Sequence, residues 1–193
     1  MFLAYPDRNL ILTGYTGAQQ LTVGQQIAER LHLRYVNVDS LLESRAGLDL
    51  DEIRLRYGET RLKMLEMEAM QEVQLYRGAL IRMSGQTLLR TEYTKRLQQT
   101  GLIVCMVVTL DAVLRRLHLS MGGRYHNPQE RALAIGHLKR EWAIRKLEGV
   151  CELDLTDQNE AQMVERVCAF WEAMSGGTAV DLTNGTRKAP RLV

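Results

Sequence analysis

Short apolar runs alternate along this chain with longer stretches in which apolar residues return every three or four positions. Asn9–Thr13 is brief, apolar and bounded by Gly14, which predicts a buried strand. Between Gln20 and Leu33 the residues Val23, Ile27, Ala28 and Leu31 keep a helical spacing. Arg34–Val38 predicts a second strand, and Asp39 or Ser40 is placed to cap a short helix over Leu41–Arg45. A long helical region follows from Asp49 to Tyr76, broken at Gly58, with Leu62, Leu65, Met67, Met70 and Val73 at roughly helical spacing. The methionines there read as adaptable core packing. Ala79–Met83 predicts a third strand running into Ser84-Gly85-Gln86, and Thr91–Gln99 a helix closed by Gly101. Leu102–Thr109 is the most β-like run and apolar on both faces, as a central parallel strand must be. Asp111 opens a helix that ends near Gly122-Gly123, and Pro128 to about Lys146 is helical and basic. Cys151–Leu155 and Asn159–Met174 predict the last strand and helix.

Strands alternating with helices through short connections predict an α/β fold: three α/β/α layers around a central, mostly five-stranded parallel sheet. The domain is expected to span 1–175, with a disordered, apolar-poor tail over 176–193. Ligands of such sheets sit at the carboxyl ends of the strands. The loops Gly14–Gln20, Asn37–Asp39 and Ser84–Gln86 are therefore expected on one edge.

Composition removes several alternatives. The 193 residues carry a net charge of +2, too small to point to nucleic acid or an anionic membrane. No apolar run approaches the roughly 18 residues needed to span a bilayer. The first residues lack the basic start and apolar centre of a signal peptide, so a cytoplasmic location is expected. Cys105, Cys151 and Cys168 lie in separate apolar contexts and read as buried free thiols. The four histidines show no metal-ligand spacing.

Candidate chemistry begins at Leu10-Ile-Leu-Thr-Gly14-Tyr-Thr-Gly17-Ala-Gln19-Gln20-Leu21-Thr22. An apolar strand, a glycine turn and a helix form the setting of a phosphate-binding loop, G-x-x-x-x-G-K-[ST]. Gln19 stands at the second glycine, Gln20 at the lysine that reaches the phosphates, and Leu21 at the hydroxyl that binds Mg²⁺. No lysine precedes Lys63, so no local realignment supplies one. Gly14 and Gly17 also read simply as turn glycines.

Taken with the stretches that follow, the chain resembles shikimate kinase, a small P-loop kinase of the nucleoside-monophosphate kinase type, from about Asn9 to Trp171. Gly14-Tyr-Thr-Gly17 with Thr22-Val-Gly24 resembles the family's phosphate loop and first helical turn. Tyr35-Val-Asn37-Val-Asp39 resembles the strand ending in Asp-x-Asp. Gly58-Glu59, Leu62-Lys63 and Glu66 resemble Gly-Glu, Phe-Arg and a glutamate, and Ser84-Gly85-Gln86 stands at the triple glycine. Gly122–Pro128 falls at the mobile lid, expected over about 121–130. The resemblance implies that the loop lysine holds the β- and γ-phosphates, while the loop hydroxyl and first aspartate help coordinate Mg²⁺. It implies that the second aspartate, the arginine and the triple glycine hold shikimate, and that lid arginines close on the phosphoryl group. Here Asn37 replaces the first aspartate and Lys63 the arginine; Asp39, Gly85 and the lid residue Arg124 match. The family's second sugar-binding arginine, after the lid helix, has no clean equivalent, although Arg140 and Arg145 are near.

Losing the lysine and the metal ligands removes most of the charge neutralisation on which phosphoryl transfer depends. The sequence therefore reads as a shikimate kinase-like protein with a degenerate loop, a pseudokinase kept for ligand binding, regulation or protein interaction. No catalytic residue, metal or cofactor is assigned on this reading. The alternative is an active small-molecule kinase using ATP and Mg²⁺, with charge supplied from Lys63, Arg82 or Arg90. A third is a pure interaction domain. Partners are a small anionic ligand or nucleotide, or another protein, with no membrane and no nucleic acid. Asp39 reads equally as a ligand carboxylate or a helix cap. Arg115 and Arg116 read as a solvated face or a phosphate clamp. The basic stretch Arg124–Lys146 reads as an exposed helix or an anion-closing lid.

Overall fold

The computed structural model describes residues 7–14, 20–89, 91–121 and 127–176. Five strands form one sheet: β1 (Asn9–Gly14), β2 (Arg34–Asn37), β3 (Ala79–Arg82), β4 (Gly101–Val107) and β5 (Val150–Asp154). Their order is β2-β3-β1-β4-β5 and every pairing is parallel. The three central strands are nearly all apolar because both of their faces are covered, as the sequence pattern required.

The helices divide between the two faces. Helix α1 (Gln20–Arg30) and helix α8 (Glu160–Gly176) cover one, where Val23, Ile27, Met163, Val167 and Trp171 pack on Leu10, Leu12 and Val104. The other is covered by α2 (Val38–Ala46), α3 (Leu50–Val73), the short α4 (Gly85–Leu88) and α5 (Thr91–Thr100). There Leu42, Leu62, Leu65, Met70, Leu88 and Leu97 pack on Ile11, Ile81 and Ile103. Helix α6 (Leu110–Met121), helix α7 (Pro128–Trp142) and a 3-10 turn over Ala143–Lys146 lead into β5. Burying these side chains on both faces is the main stabilising term, at roughly 1.5–3 kcal/mol per large apolar residue.

Gly58 breaks α3 at φ 75° and ψ 174°, as the sequence predicts, and Asp49 caps that helix by accepting from the Glu52 amide. Three expectations are corrected. Neither Asp39 nor Ser40 caps α2: the cap position is Asn37, and Asp39 lies inside the first turn. Met67 is half exposed, because the inward face of α3 runs through Leu62, Leu65, Glu66, Ala69, Met70 and Val73. Gly101 begins β4 rather than closing α5, and a Cβ there would lie 2.0 Å from the Asn9 carbonyl oxygen. The tail expected over 176–193 begins at the last residue of α8, Gly176, and its remainder over 177–193 lies outside the described residues. Of the lid expected over about 121–130, Met121 ends α6, Pro128 begins α7 and 122–126 lie outside the described residues. Among the described residues no helix is long and apolar enough to cross a membrane.

At the amino-terminal end of the sheet, buried Asn9 ties three elements together. Its Nδ2 donates to the Tyr76 carbonyl at 2.7 Å and to Thr100 Oγ1 at 3.2 Å, while its Oδ1 accepts from the Ala79 amide at 3.0 Å. Each buried group left without a partner costs about 1–3 kcal/mol. Asn9→Ala is therefore expected to lower unfolding stability in urea by roughly 2–4 kcal/mol; a loss below about 0.5 kcal/mol, the scale of ordinary surface changes, would show that water replaces the amide.

Candidate functional site

Because the strands are parallel, β1, β2 and β3 end on one edge. Leu12 and Asn37 both stand beside Arg82 in register, and Gly14 stands beside Met106. At Gly14, φ is +93° and a Cβ would lie 2.1 Å from the Met106 carbonyl oxygen. That close approach to β4 requires glycine independently of any ligand.

Arg82 is the charged end of an otherwise apolar strand, with its side chain only 15% exposed. Its Nη1 reaches across to β2 and α2, donating to Asn37 Oδ1 at 3.1 Å and to Asp39 Oδ2 at 2.5 Å. Asn37 Nδ2 in turn donates to Ser40 Oγ at 2.7 Å. The same charges act on Tyr35, whose hydroxyl is pushed above its ordinary value by burial first, with Arg82 opposing and Asp39 adding to the rise.

A second internal contact covers the Ser84-Gly85-Gln86 turn. Glu141, on α7, is 6% exposed and accepts from Ser84 Oγ at 2.9 Å, from the Gly85 amide at 2.5 Å and from Gln86 Nε2 at 3.3 Å. The helix backbone is equally close: a Cβ on Gly85 would lie 2.3 Å from the Glu141 carbonyl oxygen. A buried carboxylate is tolerable here because three donors surround it.

Between these two contacts lies a cleft of about 460 Å³, with Gly14, Leu42, Leu50 and Leu62 among its walls. Asp39, Glu43, Asp49, Asp51, Glu66 and Glu141 also line it, against Arg54 and Arg82. Six carboxylates facing two guanidinium groups make the described lining acidic. Thr87 Oγ1 donates to Glu66 Oε1 at 3.2 Å, which joins α4 to α3 across the cleft floor. Among the described residues no group of three or more His, Cys, Asp or Glu could hold a metal ion.

The structure thus brings together Gly14, Asn37, Asp39, Arg82 and Gly85. Lys63 is not with them. Leu62 and Glu66, one turn apart, take the inward face of α3, and Lys63 is turned about 100° away into solvent. Leu21 is 47% exposed and Thr22 is exposed; Gln20 begins α1. Gly17, Gln19, Arg90 and Arg124 lie outside the described residues. Within the basic stretch, Lys139, Arg140 and Lys146 are exposed, and Arg145 pairs with Glu152 at 2.6 Å. Among the described residues of that stretch, the one that lines the cleft is the acidic Glu141. Arg115 is exposed and pairs with Asp157 at 3.3 Å.

Cysteine chemistry has no place at this edge. Cys105, Cys151 and Cys168 are free thiols, and burial pushes Cys105 up to about 12. Sequence reasoning named Arg82 only as a remote substitute and passed over Glu141. Both carried a signal. An arginine closing a buried apolar strand must find an acceptor. A glutamate three residues before the buried Ile144 shares that residue's inward helical face.

Residues 16–171 match the family model for shikimate kinase. The shikimate kinase of Thermodesulfovibrio yellowstonii is 25% identical over 173 residues, covering 88% of this chain and 98% of that protein. That of Geobacter sulfurreducens is 36% identical over 110 residues, covering 57% of this chain and 61% of its own. Among solved structures, shikimate kinase from Bacteroides thetaiotaomicron superposes with a TM-score of 0.70 at 21% identity, over 86% of this chain and 98% of that one. Shikimate kinase from Acinetobacter baumannii in complex with shikimate gives 0.62 at 17%, over 88% and 93%. At these identities the two structures share the fold.

Removing the Glu141 carboxylate uncovers the Gly85 amide and two side-chain donors at once. Glu141→Ala is expected to cost roughly 2–3 kcal/mol in urea unfolding, and Glu141→Gln about half as much, since the amide still accepts. No loss in Glu141→Gln, which keeps the volume of the side chain, would mean that the contact is packing and not a charged hydrogen bond.

Proposed function

The chain belongs to the shikimate kinase family, and we propose that it is a member whose fold serves ligand binding, regulation or protein association without transferring phosphate from ATP to shikimate. The observation that carries this reading is that the acceptor groups matching the family are already held from within. Asp39 is joined to Arg82 at 2.5 Å, and the Gly85 amide to Glu141 at 2.5 Å. Shikimate would have to displace a charge-assisted contact worth about 1.5–3 kcal/mol at each of these two groups before gaining anything from them.

The phosphate half of the edge points the same way. Gln20 brings no charge where the family has lysine, Leu21 offers no oxygen, and Asn37 is a neutral ligand in place of a carboxylate. Arg82 is the one relocated charge foreseen in the sequence that lies at the described edge, and it is engaged with Asp39. The acidic lining further disfavours an anionic acceptor in this part of the cleft. Any small anionic ligand or nucleotide would have to draw its favourable contacts from the loop side.

A phosphorylation assay with ATP, Mg²⁺ and shikimate tests the proposal, with product read by ³¹P NMR. No phosphorylated shikimate is expected above the protein-free control. The double change Gln20→Lys with Leu21→Ser is expected to strengthen ATP binding without restoring transfer, because Arg82 and Glu141 still hold the acceptor groups. Turnover by the wild-type chain that disappears in Asp39→Ala would overturn the proposal in favour of an active kinase.

A further inference from the structure

The resemblance places a Mg²⁺-binding oxygen at Leu21 and another at Asn37, and the residues present do not fit that ion. Leu21 has no donor atom. Asn37 Oδ1 accepts from Arg82 Nη1 at 3.1 Å, and the Asn37 amide nitrogen faces Ser40 at 2.7 Å. The carboxylate two residues on, Asp39, accepts from the same Nη1 through its Oδ2 at 2.5 Å. Mg²⁺ requires a near-octahedral shell of oxygens at about 2.0–2.1 Å, and a guanidinium resting on two candidate oxygens repels a second cation.

We propose that the Arg82 guanidinium takes the place of the divalent cation at this edge, so that the cleft carries its own fixed positive charge and binds whatever it binds without metal. The topology explains why this position can do so. Arg82 stands in register beside Asn37 on the neighbouring parallel strand, at the last residue of β3, so its side chain crosses one strand spacing to reach the start of α2. Arginine stays protonated at any physiological pH and offers several donors in a fixed plane, which suits two adjacent oxygens. Its side chain is 15% exposed and that of Asp39 23%, so the pair is shielded from solvent ions more than a surface pair would be. The inference rests on the family placement of the loop and of Asn37. It is separable from the absence of phosphoryl transfer because it concerns metal binding with no nucleotide present.

Mn²⁺ alone, followed through the electron paramagnetic resonance signal of the free ion, is the probe on the full chain. Wild type and Asn37→Asp are expected to leave Mn²⁺ free, since Arg82 still covers the site in both. Arg82→Met with Asn37→Asp exposes two adjacent carboxylates, and is expected to bind Mn²⁺ at least about tenfold more tightly, as affinity at oxygen sites rises with ligand charge. Arg82→Gln with Asn37→Asp keeps a donor toward Asp39 if the methionine variant folds poorly, and is expected to show a gain in the same direction. Mn²⁺ binding by wild type, equal binding by Asn37→Asp and the double variants, or no gain in a double variant with native circular dichroism would each overturn the proposal. Transfer to shikimate in the phosphorylation assay would overturn the proposed function and leave this result to stand by itself.

Discussion

Parallel pairing of all five strands is the constraint from which the candidate site follows. It sends the carboxyl ends of β1, β2 and β3 to the same edge, and the fully buried β1 forces its neighbours into tight register there. Gly14 has no room for a side chain because β4 passes too close, and Arg82 must reach sideways because the strand beneath it is closed on both faces. The site residues are where they are because the sheet leaves them nowhere else.

At that edge, two side chains of opposite charge hold the polar groups of the candidate site. Arg82 satisfies Asn37 and Asp39, and Glu141 satisfies Ser84, the Gly85 amide and Gln86. Each contact also fastens secondary structure: Arg82 joins β3 to α2, and Glu141 holds α7 against the turn that opens α4. Groups that bind a substrate must be free to exchange partners. Groups that hold two elements together gain stability by not exchanging. The same carboxylate and the same amide cannot serve both needs equally well, and here each joins two elements.

The scaffold was legible in the sequence because hydrophobic period and turn residues act locally. The apolar runs at Leu10–Leu12 and Leu102–Val107, the break at Gly58 and the helical spacing of α1 depend on neighbours a few positions away. Boundaries shifted where tertiary contacts decided them. Helix α2 begins at Val38 with Asn37 as its cap, so Asp39 is turned toward Arg82 rather than toward its own helix. Met67 matched an approximate apolar spacing but lies off the phase set by Leu62 and Glu66. The contacts that hold the candidate site together were hidden because they join residues far apart in the chain. Arg82 and Asp39 are separated by 43 positions, and Glu141 and Gly85 by 56. No local pattern reports such pairs, although a charged end on a buried strand and an acid on a helix's inward face each announce that a partner exists.

The central claim is that the acceptor groups are held by the chain itself, and the Gly85 amide reports on it most directly. In an ¹⁵N-labelled sample titrated with shikimate, the account predicts that the Gly85 resonance stays in place and remains protected from hydrogen exchange, because the Glu141 carboxylate keeps the amide. A saturable shift of that resonance, accompanied by faster exchange at Ser84 and Gln86 as Glu141 is displaced, would contradict it.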